Sequence, residues 1–205
     1  MKKVKIILIG ESGVGKSSLI TQYIEKKFKL EQTFTISNDR RIKPLSINGK
    51  EIKLEIWDTV GQEKLRNINK MFMKNVQIAI FVYDITKKKS IINFDSYWYK
   101  EVSDENDVTK IIFGIVANKS DLYKIQEIDQ LEGKKLAEKI GGKFFETTAK
   151  NFESIQTVFE ELVQDYITKF SENDDIDKDN RQSLVLNKDI NNKKRNKNEC
   201  CRKNK

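Results

Sequence analysis

No histidine occurs anywhere in the 205 residues. That absence removes Ser-His-Asp hydrolysis, Cys-His catalysis, HExxH metalloprotease chemistry and histidine-dependent zinc sites. Cysteine is nearly as scarce: the two present, Cys200 and Cys201, are adjacent and close to the C-terminal end. Such neighbours cannot staple a core, so a disulfide framework is excluded and a reducing, intracellular setting is expected. Long hydrophobic runs are missing too. The longest, around Ile6–Ile9 and Val76–Tyr83, fall far short of the roughly 18–20 residues of a membrane-spanning helix. Met1-Lys2-Lys3 before Val4–Ile9 imitates a signal peptide only faintly. Lys5 breaks the run, and Gly10-Glu11 ends it without a small-residue cleavage site. The segment reads as a buried first strand.

What is present in abundance is charge. Charged residues make up 34% of the chain against 38% apolar, and the formal net charge is +8. The length suits one domain with a tail, and a body of roughly 150–170 residues still buries a sizeable core. The positive excess leaves three meanings open: nucleic acid, an acidic membrane, or a solvated surface.

Short β-rich runs alternate with helical patterns from residue 4 to about 170. Val4–Ile9, Ile78–Tyr83 and Ile111–Ala117 are continuous apolar runs, as expected of strands covered on both faces of a parallel sheet. Lys43–Trp57 differs, because alternating runs flank Asn48-Gly49, the strongest short-range signal for a hairpin. Phe144-Phe145 begins a last short strand. Helical spacing appears over Ser18–Glu25, Ser90–Glu101, Leu131–Ile140 and Phe152–Phe170. In the last of these, Ile155, Val158, Phe159, Leu162, Val163 and Ile167 form one apolar face. Alternating strands and helices with short connections predict an open α/β sheet with helices on both sides.

Gly10-Glu11-Ser12-Gly13-Val14-Gly15-Lys16-Ser17 matches GxxxxGK[ST] at every fixed position, directly after a strand and opening a helix. Such a loop turns backbone amides around the β-phosphate, and the helix N-terminus adds partial positive charge. Lys16 is a compact cation for the β- and γ-phosphates, and the Ser17 hydroxyl can coordinate Mg²⁺. The motif alone specifies a nucleoside triphosphate, not which one. Asn118-Lys119-Ser120-Asp121 follows the strand ending at Ala117, on the carboxyl edge where ligands of such sheets bind. A carboxylate there accepts both N1–H and the exocyclic amine of guanine. Adenine lacks that pair, and a missing partner in a buried polar site costs roughly 10⁴–10⁵-fold in selectivity. Thr147-Thr148-Ala149-Lys150, after the last strand, can offer an amide to the guanine carbonyl.

Trp57-Asp58-Thr59-Val60-Gly61-Gln62-Glu63 follows the hairpin. Asp58 can hold Mg²⁺ through water, Gly61 can give its amide to the γ-phosphate, and Gln62 can orient an attacking water. No strong base is required, because phosphoryl transfer to water depends mainly on positioning and electrostatics.

GESGVGKS, WDTVGQE, NKSD and TTAK, in this order and spacing, resemble a Ras-superfamily small GTPase, most similar to the Rab family. Lys53–Thr59, Phe81–Thr86 and the Cys-Cys pair resemble Rab-typical segments, and the likeness covers about residues 3–170. The resemblance implies a P-loop NTPase G domain: a six-stranded, mostly parallel sheet with one antiparallel hairpin strand and helices on both faces. It implies GTP and GDP as bound nucleotide with Mg²⁺, slow turnover, and switch regions near 30–40 and 58–75. An exchange factor, a GTPase-activating protein and effectors would meet the chain there. It further implies phosphate contacts from Ser12, Gly13, Val14, Gly15, Lys16, Ser17 and Ser18, and base contacts from Asn118, Lys119, Asp121, Thr148, Ala149 and Lys150. Phe28 matches the aromatic on the guanine edge, although by position alone it also reads as a core residue after the first helix. Thr35 matches the switch I threonine that completes Mg²⁺ coordination, although by spacing alone it is one loop threonine among several. The family usually follows that threonine with Ile-Gly-Val-Asp-Phe. Here Ile36-Ser37-Asn38-Asp39-Arg40 puts an arginine where an aromatic normally underlies the effector surface. Val60 stands where alanine is usual, and its two extra methyls can slow hydrolysis or perturb switch II.

After Phe170 the composition shifts. Residues 171–205 are rich in Asn, Lys and Asp, with few apolar side chains beyond Leu184-Val185-Leu186. Disorder is expected there, leaving 1–170 as the G domain. An acidic stretch over 171–180 precedes a basic one over 188–205 that surrounds the two cysteines. This resembles the doubly prenylated tail of Rab proteins, with Cys200 and Cys201 as lipidation sites. Arg202-Lys203-Asn204-Lys205 make an unusually long extension after the pair, and an unmodified tail is the alternative. The expected protein is a monomer attached reversibly to the cytoplasmic face of intracellular membranes. A nucleotide-loaded scaffold that hardly hydrolyses and a P-loop kinase are the other classes considered; the guanine-reading motif speaks against the kinase. No nucleic-acid partner is expected, since only the net charge suggests one.

Overall fold

The computed structural model describes residues 2–28, 39–59 and 72–170. Its framework is a six-stranded sheet in the order β2-β3-β1-β4-β5-β6. The strands are β1 (Lys2–Ile9), β2 (Asp39–Ile47), β3 (Lys50–Asp58), β4 (Ile78–Asp84), β5 (Ile112–Asn118) and β6 (Lys143–Glu146). Among the described residues only β2 and β3 pair antiparallel; every other neighbouring pair is parallel. The expected sheet is therefore present, hairpin included. Asn48 and Gly49 both take positive φ, 52° and 73°, and Ile47 pairs with Lys50 across them. This is the two-residue turn whose twist matches that of its strands.

Burial follows the sequence pattern strand by strand. All seven residues of β4 are buried, as a central parallel strand requires. In β3, buried Ile52, Leu54 and Ile56 alternate with Lys53 and Glu55, so one face meets the core and the other reaches solvent. Exposed β2 is an edge strand, and it carries Pro44, a residue tolerated where the ladder is open on one side.

Helices cover both faces. On one, Ile7, Phe81, Tyr83, Phe113 and Ile115 join Phe94, Trp98, Val102 and Ala137 in a single buried cluster. On the other, Leu8, Ile80 and Val116 line a small apolar cavity with Leu19, Ile155, Val158 and Phe159. Those partners come from α1 (Lys16–Glu25) and from α5 over residues 152–170. Tyr23 of α1 stacks on Phe159 of α5, with ring centroids 4.1 Å apart and planes 5° from parallel. An offset aromatic pair adds about 0.5–1.5 kcal/mol beyond the area it buries. α4 (Gln130–Lys139) starts at Asp129, whose side chain accepts from Leu131 N, an ordinary N-cap.

One helix departs from expectation. The stretch expected as a helix over 90–101 is divided into α2 (Lys89–Ile92), a π-helical segment (Phe94–Tyr99) and α3 (Lys100–Glu105). The chain falls into two compact units, Met1–Tyr166 and Ile167–Lys205; the second is described only over 167–170, where it is helical. The expectation of disorder over 171–205 falls outside the described residues. Among the described residues, no helix is long and apolar enough to cross a membrane.

Candidate functional site

Parallel pairing brings the carboxyl ends of β1, β4 and β5 to one edge. Leu8 is in register with Ile80, and Asp84 with Asn118. Everything that leaves these strands therefore meets at that edge, the usual ligand edge of such sheets.

The loop between β1 and α1 is drawn tightly against β5. Gly15 has φ 103°, and a Cβ there would lie 2.3 Å from Asn118 Nδ2. Only glycine permits both the left-handed conformation and the approach. Asn118 Nδ2 donates to Val14 O at 2.7 Å, and Lys119 Nζ donates to Gly13 O at 3.0 Å. Ser12 and Gly13 are exposed, Val14 is buried, and Ser17 and Ser18 are half-buried. Gly15 is the N-cap of α1, which has no side-chain cap and no acidic residue in its first turn. The positive end of the helix dipole therefore meets no acidic side chain of its own first turn, which suits an anion.

Lys16 is 5% exposed. Its ammonium donates to Gly10 O at 2.8 Å and Glu11 O at 2.9 Å. Burial lowers its pKa to about 8, against the upward pull of Asp58 and Glu11. Asp58, at the end of β3, is buried and hydrogen-bonded by Ser17. Burial holds its carboxyl above the usual range, although Ser17 and Lys16 oppose that. Among the described residues its buried Oδ1 has no hydrogen-bond partner, a costly state for a carboxylate oxygen. Thr59 is fully buried and donates to Leu8 O, which fixes the chain just before Val60.

At the other end, Asp121 accepts from Thr148 Oγ1 and from Lys150 Nζ, each at 2.6 Å. Burial would raise its pKa, but Lys150 and Thr148 outweigh that and hold it below the usual carboxylate range. Ala149 is buried between these two neighbours in sequence. Phe28 is 40% exposed, which removes the alternative of a core residue and leaves its ring free of the interior. The structure thus gathers Lys16, Ser17 and Asp58 in one cluster and Asn118, Lys119, Asp121, Thr148 and Lys150 in a second, joined by contacts to Gly13 and Val14. Thr35, Gly61 and Gln62, with Val60, Cys200 and Cys201, lie outside the described residues. Arg40 pairs across from Trp57, with its guanidinium 5.8 Å from the ring centroid and 3.7 Å from Glu55. The arginine is therefore laid over an aromatic at the β2 edge.

A family model described as Ras family matches residues 5–168. The chain belongs to the Ras family. It is 37% identical over 171 residues to the Ras-related protein Rab-2B of Dictyostelium discoideum, across 82% of this chain and 83% of that one. It is 39% identical over 158 residues to the Ras-related protein SEC4 of Saccharomyces cerevisiae, across 76% and 71%. It is 40% identical over 167 residues to the Ras-related protein Rab-18 of Lymnaea stagnalis, across 80% of each. The protein is thus a Rab-like small GTPase that binds guanine nucleotide and works through regulators and effectors.

Four residues of this GTPase site were not expected from the sequence. Asp84 is fully buried and pairs with Lys119 Nζ at 2.7 Å. Thr86 also donates to it, from backbone and hydroxyl. Thr147 is buried and donates to Asn118 Oδ1 at 3.3 Å. Thr59 and Glu11 complete the set. A carboxylate ending an otherwise apolar strand was the available signal for Asp84. Glu11, Thr59 and Thr147 stood inside the motifs already noted, but at positions to which the motifs assign no contact.

Proposed function

We propose that this GTPase is a Mg²⁺-dependent switch between GTP and GDP forms that recruits effectors in vesicle and membrane traffic. The observation that carries the proposal is the buried Asp58 carboxylate, hydrogen-bonded by Ser17, beside Lys16, with one oxygen unpartnered. That donor set fits a hard divalent cation. Among the described residues no three Asp, Glu or Cys side chains cluster, so the rest of the cation's shell would come from phosphate oxygens and water. Ser17 and Thr35 would ligate Mg²⁺ directly and Asp58 through water. Once bound, the ion would neutralise charge developing between the β- and γ-phosphates.

The chain's own groups would do the rest. Amides of residues 13–18 and the Lys16 ammonium would cradle the phosphates. Asp121 would accept from the guanine N1–H and amine, and the Ala149 amide would meet the guanine carbonyl. Asn118, Lys119, Thr148 and Lys150 would support the base pocket, and Phe28 would pack on the base. The Gln62 side chain would orient water for in-line attack on the γ-phosphorus, with the bond to the β–γ bridging oxygen breaking and GDP leaving. The Gly61 amide would hold the γ-phosphate until then. Loss of that contact, and of Thr35, would release effectors bound near 30–40 and 58–75.

The chain acts as a monomer, held on cytoplasmic membrane faces by lipids on Cys200 and Cys201 and by the basic residues around them. Affinity capture with GTP-analogue and GDP forms tests the switch: distinct partner sets are expected, and identical sets would reject it. Mass spectrometry of the native protein tests the anchor, which unmodified cysteines would exclude. Val60→Ala should speed single-turnover hydrolysis if the valine obstructs the γ-phosphate side.

A further inference from the structure

Glu11 is the phosphate-loop residue whose side chain leaves the site and is held elsewhere. Its Oε1 accepts two hydrogen bonds, from Asn93 Nδ2 at 3.0 Å and from Trp98 Nε1 at 3.3 Å. Both donors belong to the irregular part of the helix on the α2–α3 side. Asn93 and Trp98 are five residues apart, and in an α-helix such residues stand about 140° apart around the axis. They could not both face one carboxylate oxygen. Here Trp98 N donates to Asn93 O, an i→i+5 bond, while Tyr97 N donates to the same oxygen. The π turn therefore puts Asn93 and Trp98 one turn apart and on one side. Trp98 is 2% exposed, packed in the core cluster with Phe94 and Val102, so its indole is a fixed donor. Meanwhile the main-chain carbonyl of Glu11 accepts from Lys16 Nζ. The same residue thus touches the π turn with its side chain and the buried ammonium with its backbone.

We propose that Glu11 is a positioning residue: the π turn clamps its carboxylate so that its carbonyl holds Lys16 in place, and the clamp slows nucleotide release. The inference rests on the reading of Lys16 as the phosphate cation. It also gives the π turn a use, since it brings both donors to one acceptor. Pressure on the exposed side of this helix, at Ile92, Asp95 and Ser96, would then reach the phosphates through one peptide.

The test measures release of fluorescent GDP and GTP analogues by stopped flow. Glu11→Ala should release both about tenfold faster, the scale of one lost charge-assisted hydrogen bond. Glu11→Gln keeps the accepting oxygen and should stay within about twofold of the parent. Trp98→Phe removes the N–H, keeps a ring in the core and should release about threefold faster. In the double variant Glu11→Ala/Trp98→Phe the effects should not add, because both break one clamp. Val102→Ala, which loosens the same helix without touching Glu11, should lower the melting temperature but leave release within about twofold. Additive effects, a Gln variant as fast as Ala, or acceleration by Val102→Ala would overturn the proposal. Lys16→Ala is the reference: lost affinity there with unchanged release in Glu11→Ala rejects the clamp alone. Unchanged affinity in Lys16→Ala rejects the reading of the site itself.

Discussion

On the proposed reading of the site, its base end around Asp121 and its phosphate end around Lys16 are built on opposite principles. At the base end nearly every polar group has a protein partner: Asp121 with Thr148 and Lys150, Asn118 with Val14 and Thr147, Lys119 with Asp84 and Gly13. Its two carboxylates are both held below their usual pKa range, because ammonium and hydroxyl donors outweigh burial. At the phosphate end the reverse holds. Lys16 is buried with backbone carbonyls as acceptors and a lowered pKa, and Asp58 is buried with a raised pKa and one idle oxygen. The base reader is preassembled, whereas the phosphate end holds charges that fold poorly by themselves. A site of the second kind would gain most from its ligand, because phosphate and cation would supply the missing partners.

The strongest challenge to this contrast is Lys16→Ala. Removing this buried cation should weaken GTP and GDP binding by about 10³-fold, the scale of truncating a desolvated charge partner. Calorimetric titration would measure it, and a loss below tenfold would mean that the helix amides do most of the work. Next comes Asp121→Asn, which replaces an acceptor by an amide and leaves guanine's donors unmatched. Guanine affinity should fall by about 10²-fold relative to xanthine nucleotides, read by competition.

Asp84→Asn tests whether the preassembled end depends on its buried anchor. Lys119 would lose its carboxylate, and nucleotide release should rise about tenfold with a loss of about 1–3 kcal/mol in stability. The pH dependence carries a definite sign. A carboxyl with a depressed folded-state pKa contributes stability above its unfolded value, and that stability fades as pH falls through the carboxylate range. Parent and Asp84→Asn should therefore converge in stability on acidification from neutral pH. The smallest effect is opposite in direction. Asp58 has a raised pKa, so its charged form weakens the nucleotide-free fold at pH 7. Asp58→Asn should raise the melting temperature in chelator without nucleotide by about 2–4 °C. A fall would mean that the carboxylate is not strained at all.

Much of this was legible beforehand because it depends on local patterns. Continuous apolar runs marked β1, β4 and β5, and Asn48-Gly49 marked the hairpin. Gly15, Lys16 and Ser17 announced a phosphate loop by spacing alone. What stayed hidden depends on groups distant in sequence. Asp84 and Lys119 meet because β4 and β5 lie side by side in register, and Thr147 meets Asn118 because β6 lies beyond β5. The π turn was invisible for a different reason. A regular helical period fits residues 90–101 nearly as well, and only packing of Phe94 and Trp98 into the core, with Glu11 beyond, distinguishes the two.

The sequence by itself determined the alternation of strands and helices, the hairpin turn, the phosphate loop and the chemistry available to read guanine. These rest on backbone preferences and on which side chains can carry a charge or a hydrogen bond. Tertiary structure alone decided which of those side chains are already satisfied. It paired Asp121 and Asp84 with lysines, left Asp58 Oδ1 without a partner, and brought a helical irregularity to bear on Glu11. The reason is physical: the cost of a buried polar group depends on the atoms around it, and those arrive from other strands and helices only when the chain folds.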